Sequence, residues 1–133
     1  MQNESYLEDS RVWIRYAEAD IALASIPLPE NGMYEQLCFH AQQAAEKAIK
    51  GVLVSQGITP PKTHDIELLI TLLPTSISRA NLPSKAAKLS GYASNFRYPG
   101  EEIPVTRDDY LILLAIARDT LAWAVASIEK NEA

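Results

Sequence analysis

The stretch FHAQQAAEKAIKG, residues 39–51, lies in a segment from Met33 to Gln56 whose residue pattern predicts a helix. At about 100° per residue, its side chains separate into an alanine-rich stripe and a polar arc. The stripe contains Leu37, Ala41, Ala44, Ala45, Ala48 and Val52, and the arc contains His40, Gln42, Gln43, Glu46, Lys47 and Lys50. Because small residues let a neighbouring helix approach closely, the stripe predicts a packing face.

The polar arc has two interpretations. In the first, it is the solvated side of an amphipathic helix, with Glu46 and Lys50 forming a surface pair at i and i+4. In the second, His40, Gln43 and Lys47 line up at i, i+3 and i+7 and bind a phosphate or a base, with Lys47 supplying the charge. The spacing of the residues is compatible with both.

Prolines and glycines divide the rest of the chain into further helical segments. The pattern predicts helices at about residues 5–25, 65–73, 83–96 and 106–130, with Pro83 in a first helical turn and Thr106 as an N-cap. No stretch alternates between apolar and polar residues as a strand does. The sequence therefore predicts an all-α fold in a single domain over residues 5–131. Its expected architecture is an antiparallel up-and-down bundle of four long helices plus one short helix.

Composition and charge restrict the function. The 133 residues carry a net charge of −5, which argues against broad electrostatic binding of nucleic acid but permits a local basic pocket. A single cysteine, Cys38, excludes an internal disulfide, and its alanine-rich setting predicts a buried, inert thiol. The N-terminus lacks the pattern of a signal peptide, and the longest apolar run, residues 110–117, is too short to span a bilayer. We expect a cytoplasmic protein without membrane contact, and no pattern indicates a cofactor.

The same run, residues 110–117, is apolar on every side of the last predicted helix, which one-sided amphipathicity does not explain. This helix is either the central helix of the bundle or is covered on its outer side by another chain. Because 133 residues are few to surround a helix completely, we favour a homodimer. Arg118 is then expected to form an interface salt bridge, since an unpaired buried charge is costly.

The segment TPPKTHDIELL, residues 59–69, contains the second histidine of the chain. Thr63 or His64 precedes a predicted short helix and Asp65 lies at its start. The favoured interpretation is an N-cap arrangement that fixes the preceding loop. Two histidines without a nearby carboxylate–histidine pattern do not form a recognisable ligand set, so we expect no metal site.

The segment GYASNFRYPGEE, residues 91–102, places an arginine between aromatic residues at a predicted helix end. Arg97 either caps the carbonyl groups of that helix or binds a phosphate while Tyr92 or Tyr98 stacks on a base. Both interpretations fit the residue pattern.

Taken in order along the chain, these segments resemble the HEPN family, a helical domain of higher eukaryotes and prokaryotes that is related to nucleotide binding. The resemblance covers about residues 8–130 and lies in W-x-x-x-A-x-x-D (Trp13, Ala17, Asp20), FHAQQAAEKAIK, PPKTHDIELL, YASNFRYPGE and the long closing helix. It implies a four- or five-helix bundle that is usually a dimer, and often a partner of a minimal nucleotidyltransferase (MNT) in modules resembling toxin–antitoxin pairs.

In ribonuclease members of the family, an arginine and a histidine about four to six residues apart form a composite site across the dimer, the arginine holding a phosphate and the histidine assisting attack by the 2′-hydroxyl. Arg97 is the matching arginine here, but no histidine lies between Tyr98 and Thr106. The catalytic residues are therefore unassigned.

Three functions remain compatible with the sequence. The first is a HEPN domain that binds nucleotide or RNA phosphate through Arg97, Tyr98, Lys47, His40 and Gln43 and pairs with an MNT-type nucleotidyltransferase. The second is an endoribonuclease toxin with a displaced general base. The third is a noncatalytic homodimeric interaction module.

Overall fold

The computed structural model describes residues 9–90 and 105–132. Its elements, in chain order, are α1 (Ser10–Ala24), α2 (Tyr34–Ser55), α3 (Ile66–Thr71), a 3₁₀ helix (Ala86–Ser90) and α4 (Arg107–Glu132). The described residues form no strand, which confirms the predicted all-α fold. Within these residues the long helices are α1, α2 and α4.

The ends of the first helices follow from local chemistry. Asp9 caps the start of α1, because its side chain accepts a hydrogen bond of 2.9 Å from the backbone N–H of Arg11. At the end of α2, Gly57 adopts a left-handed conformation with φ of 75°. Its N–H donates to the carbonyl of Val54 and that of Ile58 donates to Leu53, which together form a Schellman motif.

The segment predicted as a fourth long helix, residues 83–96, differs from that prediction over its described part. Residues 86–90 form a 3₁₀ helix, and residues 91–96 lie outside the described residues. Ala86 and Leu89, three positions apart, are both fully buried. A 3₁₀ helix brings residues at i and i+3 onto one side, so this geometry buries both side chains. The hydroxyl of Ser90 accepts a hydrogen bond from the N–H of Ile66, which joins the turn to α3.

The central helix of the described structure is α2, which packs against α1 on one side and α4 on another. The predicted packing face is confirmed, because Ala41, Ala44, Ala45 and Ala48 have no exposed surface. Such small residues let both neighbours approach closely, and they place the core along α2.

The last helix, α4, packs one side on this core through Tyr110, Leu114, Ala117, Trp123, Ala124 and Ile128. Its other side leaves Leu111 and Ile112 exposed, so α4 is not the central helix. Arg118 donates a hydrogen bond of 2.8 Å to the hydroxyl of Ser25 in the same chain, and its expected interface salt bridge stays a prediction. Nearby, the hydroxyl of Tyr110 donates to the carbonyl of Ala24, which ties the start of α4 to the end of α1.

By length and composition alone, α4 is apolar enough over Arg107–Asn131 to cross a membrane, since an 18-residue window within it has a mean hydropathy of 1.8. The apolar run of residues 110–117 therefore understates the hydrophobic length of this helix. Core helices of soluble proteins, which are mostly buried, pass the same test, and in α4 33% of this window is buried.

Candidate functional site

A buried carboxylate on α1 brings together two of the side chains that the sequence singled out. Asp20 is only 7% exposed, yet its Oδ2 accepts a hydrogen bond of 2.6 Å from Lys47 Nζ. Its other oxygen, Oδ1, lies 3.2 Å from His40 Nδ1. We call these three residues the Asp20 cluster. The side chains of His40 and Lys47 are 35% and 26% exposed, so a ligand can reach both while Asp20 fixes their positions.

A second buried carboxylate organises the other part of the polar arc. Glu46 Oε2 accepts a hydrogen bond of 2.9 Å from Lys50 Nζ, and its Oε1 accepts one of 3.2 Å from Gln42 Nε2. The Nδ1 atom of His64 lies 2.8 Å from the same Oε1. We call Glu46, Gln42, Lys50 and His64 the Glu46 cluster.

The burial of Glu46 and Lys50 corrects one prediction. Glu46 and Lys50 were expected to form a surface pair, but their side chains are only 3% and 9% exposed. The reason is that α2 is covered here as well as on its alanine side. The Lys50 ammonium lies over the ring of Trp13 on α1, 5.7 Å from its centroid, and His64 reaches across from the loop before α3. The first interpretation of the arc, a solvated face, is therefore wrong for this part of it.

The remaining predicted site residues fall into three groups. Gln43, expected to line up with His40 and Lys47, donates instead to the Gln42 side-chain oxygen at 2.9 Å, next to the Glu46 cluster. Asp65, which the sequence placed at the start of the short helix, is the N-cap of α3, because its Oδ1 accepts a hydrogen bond of 3.2 Å from the N–H of Leu68. Arg97, Tyr98 and Tyr92 lie outside the described residues, so their relation to the Asp20 cluster remains a prediction.

Cys38 is not a nucleophile candidate. Burial, followed by the negative charges of Glu35 and Asp109, raises the pKa of its thiol to about 12. A thiol is reactive as the thiolate, so Cys38 is inert at neutral pH in the folded chain. Within residues 9–90 and 105–132, no three His, Cys, Asp or Glu side chains are grouped so that they could hold a metal ion.

A cavity of about 350 Å³ opens beside the Asp20 cluster, where α1 connects to α2. Its lining includes Leu23, Leu28, Met33, Gln36, Phe39 and His40. The histidine therefore belongs both to the cavity wall and to the Asp20 cluster. This cavity was not predicted from the sequence. The only signal for it was the group of apolar residues around the predicted connection between the first two helices.

This fold belongs to a class of small helical bundle domains. The sequence profile of the HEPN domain family matches residues 10–130, and the chain belongs to that family. ST0689, an archaeal HEPN homologue of known crystal structure, matches with a TM-score of 0.69 and 30% identity over 90% of this chain and 98% of that one. The crystal structure of TT1696 from Thermus thermophilus matches with a TM-score of 0.63 and 29% identity over 93% of this chain and 96% of that one. No curated protein matches the sequence.

Proposed function

We propose that this HEPN-domain protein binds the phosphate groups of a nucleotide or of RNA at the Asp20 cluster. The observation that supports the proposal is that Lys47 and His40, both partly exposed, share one buried carboxylate. An ammonium group has three hydrogen-bond donors, and Asp20 accepts only one from Lys47. Donors therefore remain for an anion, and the fixed geometry lowers the entropic cost of binding it.

Calorimetric titration with ATP, GTP and a short RNA tests this function. Lys47→Ala is expected to weaken binding about tenfold or more, because it removes a charge-assisted hydrogen bond. Arg97→Ala tests whether the arginine beyond the described residues contributes to the same site. Lys88→Ala is a matched control, since Lys88 is an exposed lysine on the 3₁₀ helix. Equal ATP affinity for all four proteins, or no binding by the wild type, would contradict the proposal.

A second candidate function, RNA cleavage with a displaced general base, is supported by the orientation of both histidines. Each places Nδ1 beside a buried carboxylate, which leaves Nε2 available to accept a proton from a 2′-hydroxyl. Cleavage of RNA that is lost in Arg97→Ala and in either His40→Asn or His64→Asn is the expected result for this function. Intact RNA at high protein concentration would eliminate it.

We further propose that the protein acts in the cytoplasm as a homodimer and pairs with an MNT-type nucleotidyltransferase in a toxin–antitoxin-like module. The exposed apolar side of α4, with Leu111 and Ile112, supports a protein contact there. Light scattering should give the mass of a dimer for the wild type and of a monomer for Ile112→Asp. If the wild type is a monomer, the exposed side of α4 is expected to bind the nucleotidyltransferase partner instead. A pull-down with that partner then tests this contact.

A further inference from the structure

We propose that the cavity beside His40 receives the base of a nucleotide whose phosphate groups lie against Lys47. The inference rests on the proposed phosphate site and adds the position of the base and hence the class of ligand. A volume of about 350 Å³ is at the lower end of the range for small-molecule sites, roughly 300–1,000 Å³.

The walls of the cavity select a ligand that is apolar on its faces. Leu23, Leu28 and Met33 line it and are all exposed, although residues of these types are normally withdrawn from water. Phe39 is also exposed and presents an aromatic ring to the same space. A flat heteroaromatic ring covers such walls and stacks on the phenyl ring, which aliphatic or charged groups cannot do as well.

One neutral polar group in the lining suits the edge of a base. Gln36 lines the cavity, and among the described residues its side-chain amide makes no hydrogen bond. An amide offers both a donor and an acceptor, the combination that the polar edges of nucleobases present. The cavity thus supplies apolar faces and a polar edge contact, as expected for a base.

The connection between the cavity and the cation is direct. His40 lines the cavity, its Nδ1 lies 3.2 Å from Asp20 Oδ1, and Lys47 donates to the other oxygen at 2.6 Å. One imidazole and one carboxylate therefore separate the proposed base site from the ammonium group. A nucleoside 5′-phosphate joins a base to phosphate groups through a ribose, so one molecule can occupy both sites. A free nucleotide and the end of an RNA share this chemistry.

Calorimetry with three probes separates the base site from the phosphate site. ATP contains both parts, tripolyphosphate contains only phosphate, and adenosine lacks phosphate. We expect ATP to bind at least about tenfold more tightly than tripolyphosphate, because stacking of a base contributes to affinity. Equal affinities for ATP and tripolyphosphate would contradict the proposed base site but remain compatible with the proposed phosphate site. Binding of neither ATP nor tripolyphosphate would overturn both proposals.

Variants of exposed residues test the position of the base with little risk to folding. Phe39→Ala and Gln36→Ala are expected to weaken ATP binding several-fold or more and to leave tripolyphosphate binding unchanged. Leu28→Ala should also weaken ATP binding, whereas its control Leu72→Ala should not. These two leucines are matched at 36% and 38% exposure, and only Leu28 lines the cavity. Unchanged ATP affinity in all three cavity variants would overturn the inference.

Photolabelling with 8-azido-ATP locates the base independently of affinity. The expected result is a label within residues 23–40, suppressed by excess ATP, and a label confined to other residues would contradict it. Suppression by a short single-stranded RNA at equal or lower concentration would identify RNA as the preferred source of the nucleotide, and stronger suppression by AMP would identify the free nucleotide. If cavity variants change the oligomeric mass but not labelling, the cavity is a protein interface and the inference fails.

Discussion

The Asp20 cluster and the Glu46 cluster contain the same three kinds of charged or titratable group, a carboxylate, a lysine and a histidine. They differ in the burial of the lysine and in the number of side chains that the carboxylate contacts. Glu46 meets three side chains, and its lysine is buried. Asp20 meets two side chains, and its lysine is about a quarter exposed. The difference indicates separate roles. The saturated Glu46 cluster joins α1, α2 and the loop before α3, whereas the open Asp20 cluster retains donors for a ligand.

The largest expected effect is the loss of unfolding free energy when the Glu46 cluster is disrupted. Glu46→Gln leaves the buried Lys50 without its counter-charge, and breaking such a pair typically costs about 3–5 kcal/mol of the free energy of unfolding. Urea denaturation measures the loss. The double variant Glu46→Met with Lys50→Met is expected to recover much of it, because no buried charge remains. A cost below about 1 kcal/mol for Glu46→Gln would show that Lys50 escapes to water and that the clusters are alike.

Asp20→Asn should cost less, about 1–2 kcal/mol, by the same measurement. Lys47 loses its partner but can turn its ammonium group into solvent, since its side chain is already partly exposed. The comparison between the clusters depends on this ranking. A loss equal to that of Glu46→Gln would mean that Asp20 is a structural group first.

The two histidines form a matched pair for separating stability from binding. His64→Ala is expected to lower the free energy of unfolding by about 1 kcal/mol, because it removes a contact to Glu46, and to leave ATP affinity unchanged. His40→Ala should weaken ATP binding several-fold with a smaller effect on stability, since His40 lies at the proposed site. Calorimetry and urea denaturation of both variants give the four values. The reverse result would exchange the roles of the two clusters.

The smallest expected effect is on the rate at which a reagent modifies the Cys38 thiol. This rate measures how often α2 opens locally. A thiol with a raised pKa of about 12 stays protonated at pH 8, so a disulfide reagent should modify the folded wild type only through rare opening events. The rate should increase more in Glu46→Gln than in Asp20→Asn, because the larger loss of stability makes opening more frequent. Immediate modification of the wild type would contradict both the burial and the pKa of this thiol.

The parts of the structure that the sequence predicts well are those set by local periodicity and capping. The alanine stripe, the cap at Asp65 and the loop marked by Gly57 follow from spacing and backbone preference. The burial of Glu46 does not, because periodicity identifies one packed side of a helix and cannot count how many neighbours cover it. The 3₁₀ turn at residues 86–90 was also missed, since tertiary burial of Ala86 and Leu89 overrides helix propensity.

Asp20 is the residue that site prediction from the sequence should have included. It follows Ala17 by three positions and precedes Ala24 by four, so it lies on the buried side of α1. A carboxylate on the buried side of a helix requires a cationic partner from another element. That requirement points to Lys47 in the polar arc, and it would have linked α1 to the site. The apolar residues of the connection between α1 and α2 were a signal for an apolar surface, but the shape of the cavity depends on how that connection is folded.

The hydrogen bond from Tyr110 to Ala24 joins residues 86 positions apart, and this has a consequence for synthesis. The pair α1 and α2 is local in sequence and can form as soon as it leaves the ribosome, while α4 is still being translated. Until Tyr110 and Arg118 arrive, the corner that carries the cavity lacks the two contacts that tie Ala24 and Ser25 to α4. A nascent chain that ends before α4 should therefore contain the helices of the site without a ligand-ready cavity.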